Sequence, residues 1–259
     1  MNTKSYCKIL SFLSLTAVLG TCMALGEVRE EFHQTYPLTK SGRLQLENVN
    51  GSVRITTWDK EEVKVDAIKK AKQQEHLEEV KIDITSSADS LKIRTKYPDR
   101  KSSNNSTTVE YTLTVPKQSH LGKISNVNGS VEIENAGGDV AVSSVNGAVL
   151  ATGLSGEAQL STVNGSVRAS FAGLKSPVSI KSVNGSVTLV LPANANADVA
   201  AETVNGEIHS DFSVQPKKGF STGSKLQGKL GEGGPAVKLA TVNGGIRLER
   251  SKVVEAESR

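Results

Sequence analysis

Between residues 41 and 250 apolar side chains recur at every second position in short runs, the period of β-strands, and Asn-Gly pairs break up the runs. The tripeptide Val-Asn-Gly begins at Val49, Val127, Val145, Val163, Val183, Val204 and Val242, with successive spacings of 78, 18, 18, 20, 21 and 38 residues. The long intervals are near multiples of the short ones, as expected of a repeat array in which some copies have lost the signature. Three residues before each valine stand Leu46, Ile124, Val142, Leu160, Ile180, Ala201 and Leu239. Four after it stand Val53, Val131, Val149, Val167, Val187, Ile208 and Ile246, so every copy is apolar at both positions. Further out the alternation continues through Val140, Val178, Val199 and Val237 before the corner and Ile55, Ile133, Leu189 and Leu248 after it. Each repeat therefore reads strand, Asn-Gly corner, strand.

Two architectures satisfy this pattern. Asn-Gly between alternating runs is a strong hairpin signal, which would give an antiparallel meander closed into a barrel or sandwich. The other is a right-handed parallel β-helix-like solenoid of about 18–21 residues per coil, with each coil stacked about 4.8 Å above the last. The solenoid is preferred because a meander gives no reason for one asparagine to return at a fixed place. In a stack, Asn50, Asn128, Asn146, Asn164, Asn184, Asn205 and Asn243 can bond amide to amide, as in cross-β ladders. The paired glycines, Gly51, Gly129, Gly147, Gly165, Gly185, Gly206 and Gly244, then supply the positive φ of the corner. On this reading the corner valine turns into the core.

Residues 41 to 59, Ser-Gly-Arg-Leu-Gln-Leu-Glu-Asn-Val-Asn-Gly-Ser-Val-Arg-Ile-Thr-Thr-Trp-Asp, are followed by Glu62-Val63-Lys64-Val65. Together with Tyr111-Thr112-Leu113-Thr114-Val115-Pro116 and the later Val-Asn-Gly copies, they resemble the bacterial "putative adhesin" family of β-strand-repeat domains of unknown function. The resemblance runs over about residues 38 to 250. It implies a β-helix-like fold in an exported bacterial protein and carries over no catalytic residues.

Along the chain, residues 1–26 read as a signal peptide and 27–40 as a leader in which Pro37 disfavours regular structure. Residues 41–120 form an N-terminal β portion with longer, more charged strands near 43–48, 52–57, 62–69, 80–86, 90–96 and 108–115, and one short helix between Lys70 and Glu79. Asp99 to Thr107 reads as a polar loop. Residues 121–250 hold the regular coils, with a degenerate, looped-out coil over Gln215 to Pro235, and 251–259 form a charged tail.

The amino terminus adds a compartment. Lys4 and Lys8 precede an apolar run from Ile9 to Gly20 and then small residues, the order of a secretory signal peptide, and the run is short for a bilayer span. Cleavage after Gly26 is one route. The other uses Leu19-Gly20-Thr21-Cys22, which resembles a lipoprotein box and would leave a lipid anchor at Cys22. Both cysteines, Cys7 and Cys22, lie in this segment, so a chain cleaved after Gly26 has no thiol chemistry. The formal charge of +4 includes Lys4 and Lys8, which leaves +2 for the rest and no basic footprint for nucleic acid. No other stretch is apolar enough for a transmembrane span.

Candidate chemistry is sparse. Parallel β-helices can host glycan-cleaving enzymes, which need two carboxylates flanking one linkage. Glu47 and Glu202 share a repeat position that carries Ser125, Ser143, Ser161, Lys181 and Ala240 elsewhere, while Asp139, Glu157 and Asp198 precede strands. These read as solvated turn and edge charges. His33, His76, His120 and His209 lack metal-ligand spacing, and His209 with Asp211 lacks a serine elbow. Asn-Gly-Ser at Asn50, Asn128, Asn164 and Asn184 matches a glycosylation acceptor by accident of corner chemistry. Trp58, Phe171, Phe212 and Phe220 read as coil-filling or capping rings, and Lys217, Lys218, Lys225 and Lys229 as a solvated cluster that an acidic polymer could contact. The expectation is a non-enzymatic, cofactor-free solenoid of the envelope that binds a protein or glycan there. The rival readings are a periplasmic scaffold or sensor and a polysaccharide-cleaving β-helix enzyme.

Overall fold

The computed structural model describes residues 27–98, 106–214, 217–218 and 223–251. The signal segment with Cys22, most of the polar loop, Phe220 and most of the tail lie outside the described residues. The strands are β1 (Val28–Pro37), β2 (Arg43–Asn50), β3 (Val53–Trp58), β4 (Glu62–Ala71), β5 (Lys81–Ser86), β6 (Ser90–Lys96), β7 (Thr108–Pro116), β8 (His120–Asn128), β9 (Val131–Glu134) and β10 (Val140–Asn146). There follow β11 (Val149–Leu154), β12 (Ala158–Asn164), β13 (Val167–Phe171), β14 (Val178–Asn184), β15 (Val187–Leu191), β16 (Ala197–Asn205), β17 (Ile208–Ser210), β18 (Lys217–Lys218), β19 (Ser224–Leu230), β20 (Ala236–Asn243) and β21 (Ile246–Arg250). Among the described residues a single helix, α1 (Gln74–Glu79), follows β4.

Each Val-Asn-Gly copy places its first strand in one sheet and its second in the other, which is the solenoid rather than the meander. The first sheet runs β1-β4-β7-β3-β9-β11-β13-β15-β21-β17, and the second runs β18-β19-β16-β20-β14-β12-β10-β8-β2-β6-β5. Within the stack the strands pair in parallel with like positions opposed, for example Leu160 with Ile180 and Asn164 with Asn184. The two apolar columns read from the sequence are both buried, and between the sheets they form one continuous core from Leu44 to Leu248. Each such aliphatic side chain removed from water contributes about 1.5–3 kcal/mol before entropy is counted.

The stacking order departs from the sequence order at both ends. The coil of β6 and β7 lies below that of β2 and β3, although it comes later in the chain. The last coil, β20 and β21, is inserted between β14–β15 and β16–β17. The stretch expected to be a degenerate coil instead supplies β19, antiparallel to β16. The 27–40 leader, expected to be irregular, holds β1, paired antiparallel with β4 over ten residues. Phe32 and Tyr36, four residues apart, pack on the core from an otherwise exposed edge strand, and Pro37 sits at its end where a missing N–H is tolerated. Beside it, α1 packs against β4 and β1 and buries Leu77, and Lys69 Nζ donates to the carbonyls of Leu77 and Val80.

Candidate functional site

The corner is the most regular part of the molecule. The seven asparagines form one unbroken ladder in the order 50, 128, 146, 164, 184, 243, 205, in which the Nδ2 of every member after Asn50 donates to the Oδ1 of the one before it at 2.7–2.9 Å. The glycines behind them answer to close approach more than to φ. A Cβ built on Gly147 or Gly185 would stand 2.0 Å from the carbonyl oxygen of the glycine one layer below, and the other five copies meet a carbonyl at 2.1–2.3 Å. Only Gly51 (φ 121°) and Gly129 (φ 131°) lie well inside the left-handed half of the map, so the positive φ expected at every corner is not the general requirement.

A third column was missed by sequence reasoning. The residue before each valine is a small hydrogen-bonding side chain: Asn48, Asn126, Ser144, Thr162, Ser182, Thr203 or Thr241. All seven are buried. Thr162, Ser182, Thr241 and Thr203 donate to Gly147 O, Gly165 O, Gly185 O and Gly244 O at 2.8–3.0 Å, and Ser224 of β19 continues the pattern to Gly206 O at 3.3 Å. Asn126 Nδ2 reaches both Gly51 O and Gly129 O at 2.9 Å. It thereby takes the acceptor that Ser144 would use, and Ser144 Oγ is left buried without a partner. The signal was present in the sequence as an invariant Asn, Ser or Thr before the valine.

That inner column displaces the valines. Three positions from a buried residue is an odd number, so period-two alternation turns each valine to the opposite face of its strand. Val145, Val163, Val183 and Val242 are 39–40% exposed and Val204 is 52% exposed, which corrects the expectation that they enter the core. They form an aliphatic rail about 19 Å long from Val145 to Val204, taking four strand spacings. Beside the rail runs a shallow groove of about 460 Å³ floored by Ser143, Ser161, Lys181 and Ala240, with Glu202 at its end. A second, of about 300 Å³, shares Ser143, Ser161 and Lys181 and extends toward Lys123.

The remaining sequence candidates are scattered. Glu47 accepts from Lys123 Nζ at 2.9 Å and Arg94 Nε at 2.8 Å, and these bonds hold its carboxyl down at about 2. Glu202 pairs with Lys225 at 2.9 Å. Six strand spacings separate the two glutamates, about 29 Å, far beyond the reach of an acid and a base on one linkage. Asp139 accepts from Glu157 N at 3.0 Å and faces His120 at 3.2 Å. His33 lies 2.7 Å from Asp66 and 3.3 Å from Glu31, which together raise its pKa. Among the described residues no three His, Cys, Asp or Glu side chains gather as metal ligands, and no helix is long and apolar enough to cross a membrane. Trp58 closes the β3–β4 turn through Nε1 to Glu62 O at 2.7 Å under Lys60, while Phe171 and Phe212 are buried.

Fold and corner together define a β-solenoid repeat protein with a hydrogen-bonded asparagine spine. Residues 130–249, from the β8–β9 corner to β21, match the family described as Toastrack DUF4097, in keeping with the adhesin-family resemblance of the sequence. Among solved structures, the chain is similar to a "putative cell adhesion protein" from Clostridium sporogenes, at 15% identity and a TM-score of 0.49 over 87% of this chain and 100% of that one. It is also similar to a "putative adhesin" from Bacteroides fragilis, at 12% identity and a TM-score of 0.34 over 86% and 97%. A "putative lipid binding protein" from Parabacteroides distasonis shows 13% identity and a TM-score of 0.26 over 88% and 97%. No curated protein matches the chain.

Proposed function

We propose that this chain is an exported, non-enzymatic protein of the cell envelope that binds a protein or glycan surface along the outer face of its second sheet, with a lipid anchor at Cys22 as one way of holding it there. The observation that carries the reading is the exposed valine rail beside a groove of small hydroxyl side chains, because folded proteins seldom leave a regular aliphatic column in water without a use. Repetition at one strand spacing offers an elongated partner several equivalent contacts at once, so modest single contacts add through effective concentration. The signal-like amino terminus supports export. The lone, ion-paired carboxylates Glu47 and Glu202 count against glycan cleavage.

Protease shaving of intact source cells, with a periplasmic marker as control, tests the placement. Loss of this protein while the marker survives is the expected result, and full protection would replace adhesion by a periplasmic scaffold or sensor. Val163→Lys with Val183→Lys then tests the face. The double variant should keep the wild-type melting temperature and lose at least about tenfold in binding to the source envelope, equivalent to about 1.4 kcal/mol. Unchanged binding would remove the rail from the reading.

A further inference from the structure

Among the described residues strand β1 is the outermost member of the first sheet, and it pairs with β4 over its whole length. In that register Leu38 N donates to Glu61 O at 3.1 Å, which fixes the parity of the ladder. Even-numbered residues of β1 turn their N–H and C=O groups to β4, and odd-numbered ones turn theirs outward. The outward set is Arg29, Glu31, His33 and Thr35, all exposed, and it ends at Pro37, which has no N–H to present. An edge of this length is a template for another strand, and charged side chains commonly guard it. On β1 the charges are ordered so that one partner suits them.

We infer that β1 is a self-association edge, on which a second copy of this chain lays its own β1 antiparallel about a two-fold axis at Phe32. With Phe32 opposite the partner's Phe32, Glu31 falls opposite the partner's His33, and His33 opposite the partner's Glu31. A shift of two residues either way sets Glu31 against the partner's Glu31 or His33 against the partner's His33, and like charges directly opposed are unfavourable. The His33 ring already lies 2.7 Å from Asp66 and 3.3 Å from Glu31, which holds it on the face where the partner's Glu31 arrives. On the inner face Val28 meets the partner's Tyr36, so the three side chains that the strand leaves half-buried, Val28, Phe32 and Tyr36, cover one another. Each outward residue takes part in a pair that closes two main-chain bonds, about eight across the joint. The two-fold runs along the sheet normal, so the two rods extend in opposite directions and both valine rails face the same side. A surface held by one rail is then held by two, which adds through effective concentration.

The test is the oligomeric state of the protein purified from its source cells, read by analytical ultracentrifugation. Wild type should sediment as a dimer, and a chain still monomeric at about 0.1 mM would overturn the inference. Glu31→Lys sets a lysine against the partner's His33, and His33→Glu sets a glutamate against the partner's Glu31. Each variant alone should therefore dissociate at least about tenfold more readily. Mixed in equal amounts, the two variants oppose lysine to glutamate at one contact and His33 to Glu31 at the other, so the dimer should return at near the wild-type affinity. Thr35→Pro, which removes an outward N–H and leaves the bonds to β4 in place, should also weaken the dimer while the melting temperature of the monomer holds. A wild-type dimer that none of these changes weakens would place the joint on another surface and overturn the inference. Weakened single variants that the mixture fails to restore would overturn it as well, because the opposed Glu31 and His33 would then not be what fixes the pairing.

Discussion

At the scale of single residues, the corner works through who holds each glycine carbonyl. Close stacking leaves no room for a Cβ and turns the carbonyl inward, where an unpartnered oxygen costs about 1–3 kcal/mol. A buried hydroxyl one layer on supplies the missing donor. Thr162→Val keeps the volume and removes the donor to Gly147 O, so it should destabilise the fold by about 1–2 kcal/mol in equilibrium urea unfolding. Ser144→Ala, which deletes a hydroxyl that donates to nothing, should change stability by less than about 0.5 kcal/mol. Equal costs for both would sink the carbonyl account. The same column explains what the sequence showed and what it hid. Leu160 and Val167 are unambiguous because they are apolar in a strand of period two. Thr162 reads as an ordinary surface residue until its odd spacing from Val163 is counted, and Val163 reads as core because valine usually is.

Between strands, charge fastens what the apolar columns only align. Glu47 on β2 bridges Arg94 on β6 and Lys123 on β8, so one carboxylate ties three adjacent strands where the stack order first departs from the sequence. Those bonds hold its pKa at about 2 in the folded chain, against 4.5 for an ordinary glutamate. A depressed carboxylate contributes stability that is complete above the unfolded value and is lost as pH falls through the folded one, here between about 4.5 and 2. Glu47→Gln should therefore lower stability at neutral pH and flatten the acid limb in that window, as read from urea midpoints across pH. A parallel, undiminished acid limb in the variant would show that other carboxylates carry it. The strands themselves were legible, since β2 to β7 fall within about two residues of the alternating runs. The edge strand β1 was not, because only Val28, Phe32 and Tyr36, every fourth residue, are partly covered and all the others are exposed, so the run shows no period of two.

For the whole molecule, the repeats determine register but leave order open, because every coil presents the same valine, asparagine and glycine to its neighbours and any two would pair equally well. Order is decided by the long connections, the 78- and 38-residue intervals, which let the chain travel past a coil and return. The outcome is that neither the first nor the last Val-Asn-Gly coil lies at an end of the rod. Antiparallel β4 on β7, β5 on β6 and β19 on β16 cover three of the four outer edges of the parallel stack, while β17 ends the first sheet among the described residues. In a stack built in sequence order, removing residues 236–259 would shorten the rod and spare everything before it, since each repeat contacts only its neighbours. Here the same deletion removes an internal layer, and β16 and β17 lose the parallel partners on which they sit. Backbone amides of 197–210 should then exchange hydrogen orders of magnitude faster than in the intact chain, while those of 140–191 keep their protection. Retained protection of 197–210 in the truncated protein would mean that β16 has docked directly on β14, and that the corner chemistry is interchangeable enough to heal the gap. Loss of protection confined to 197–210 would show that the last residues of the chain lock in place a coil formed before them.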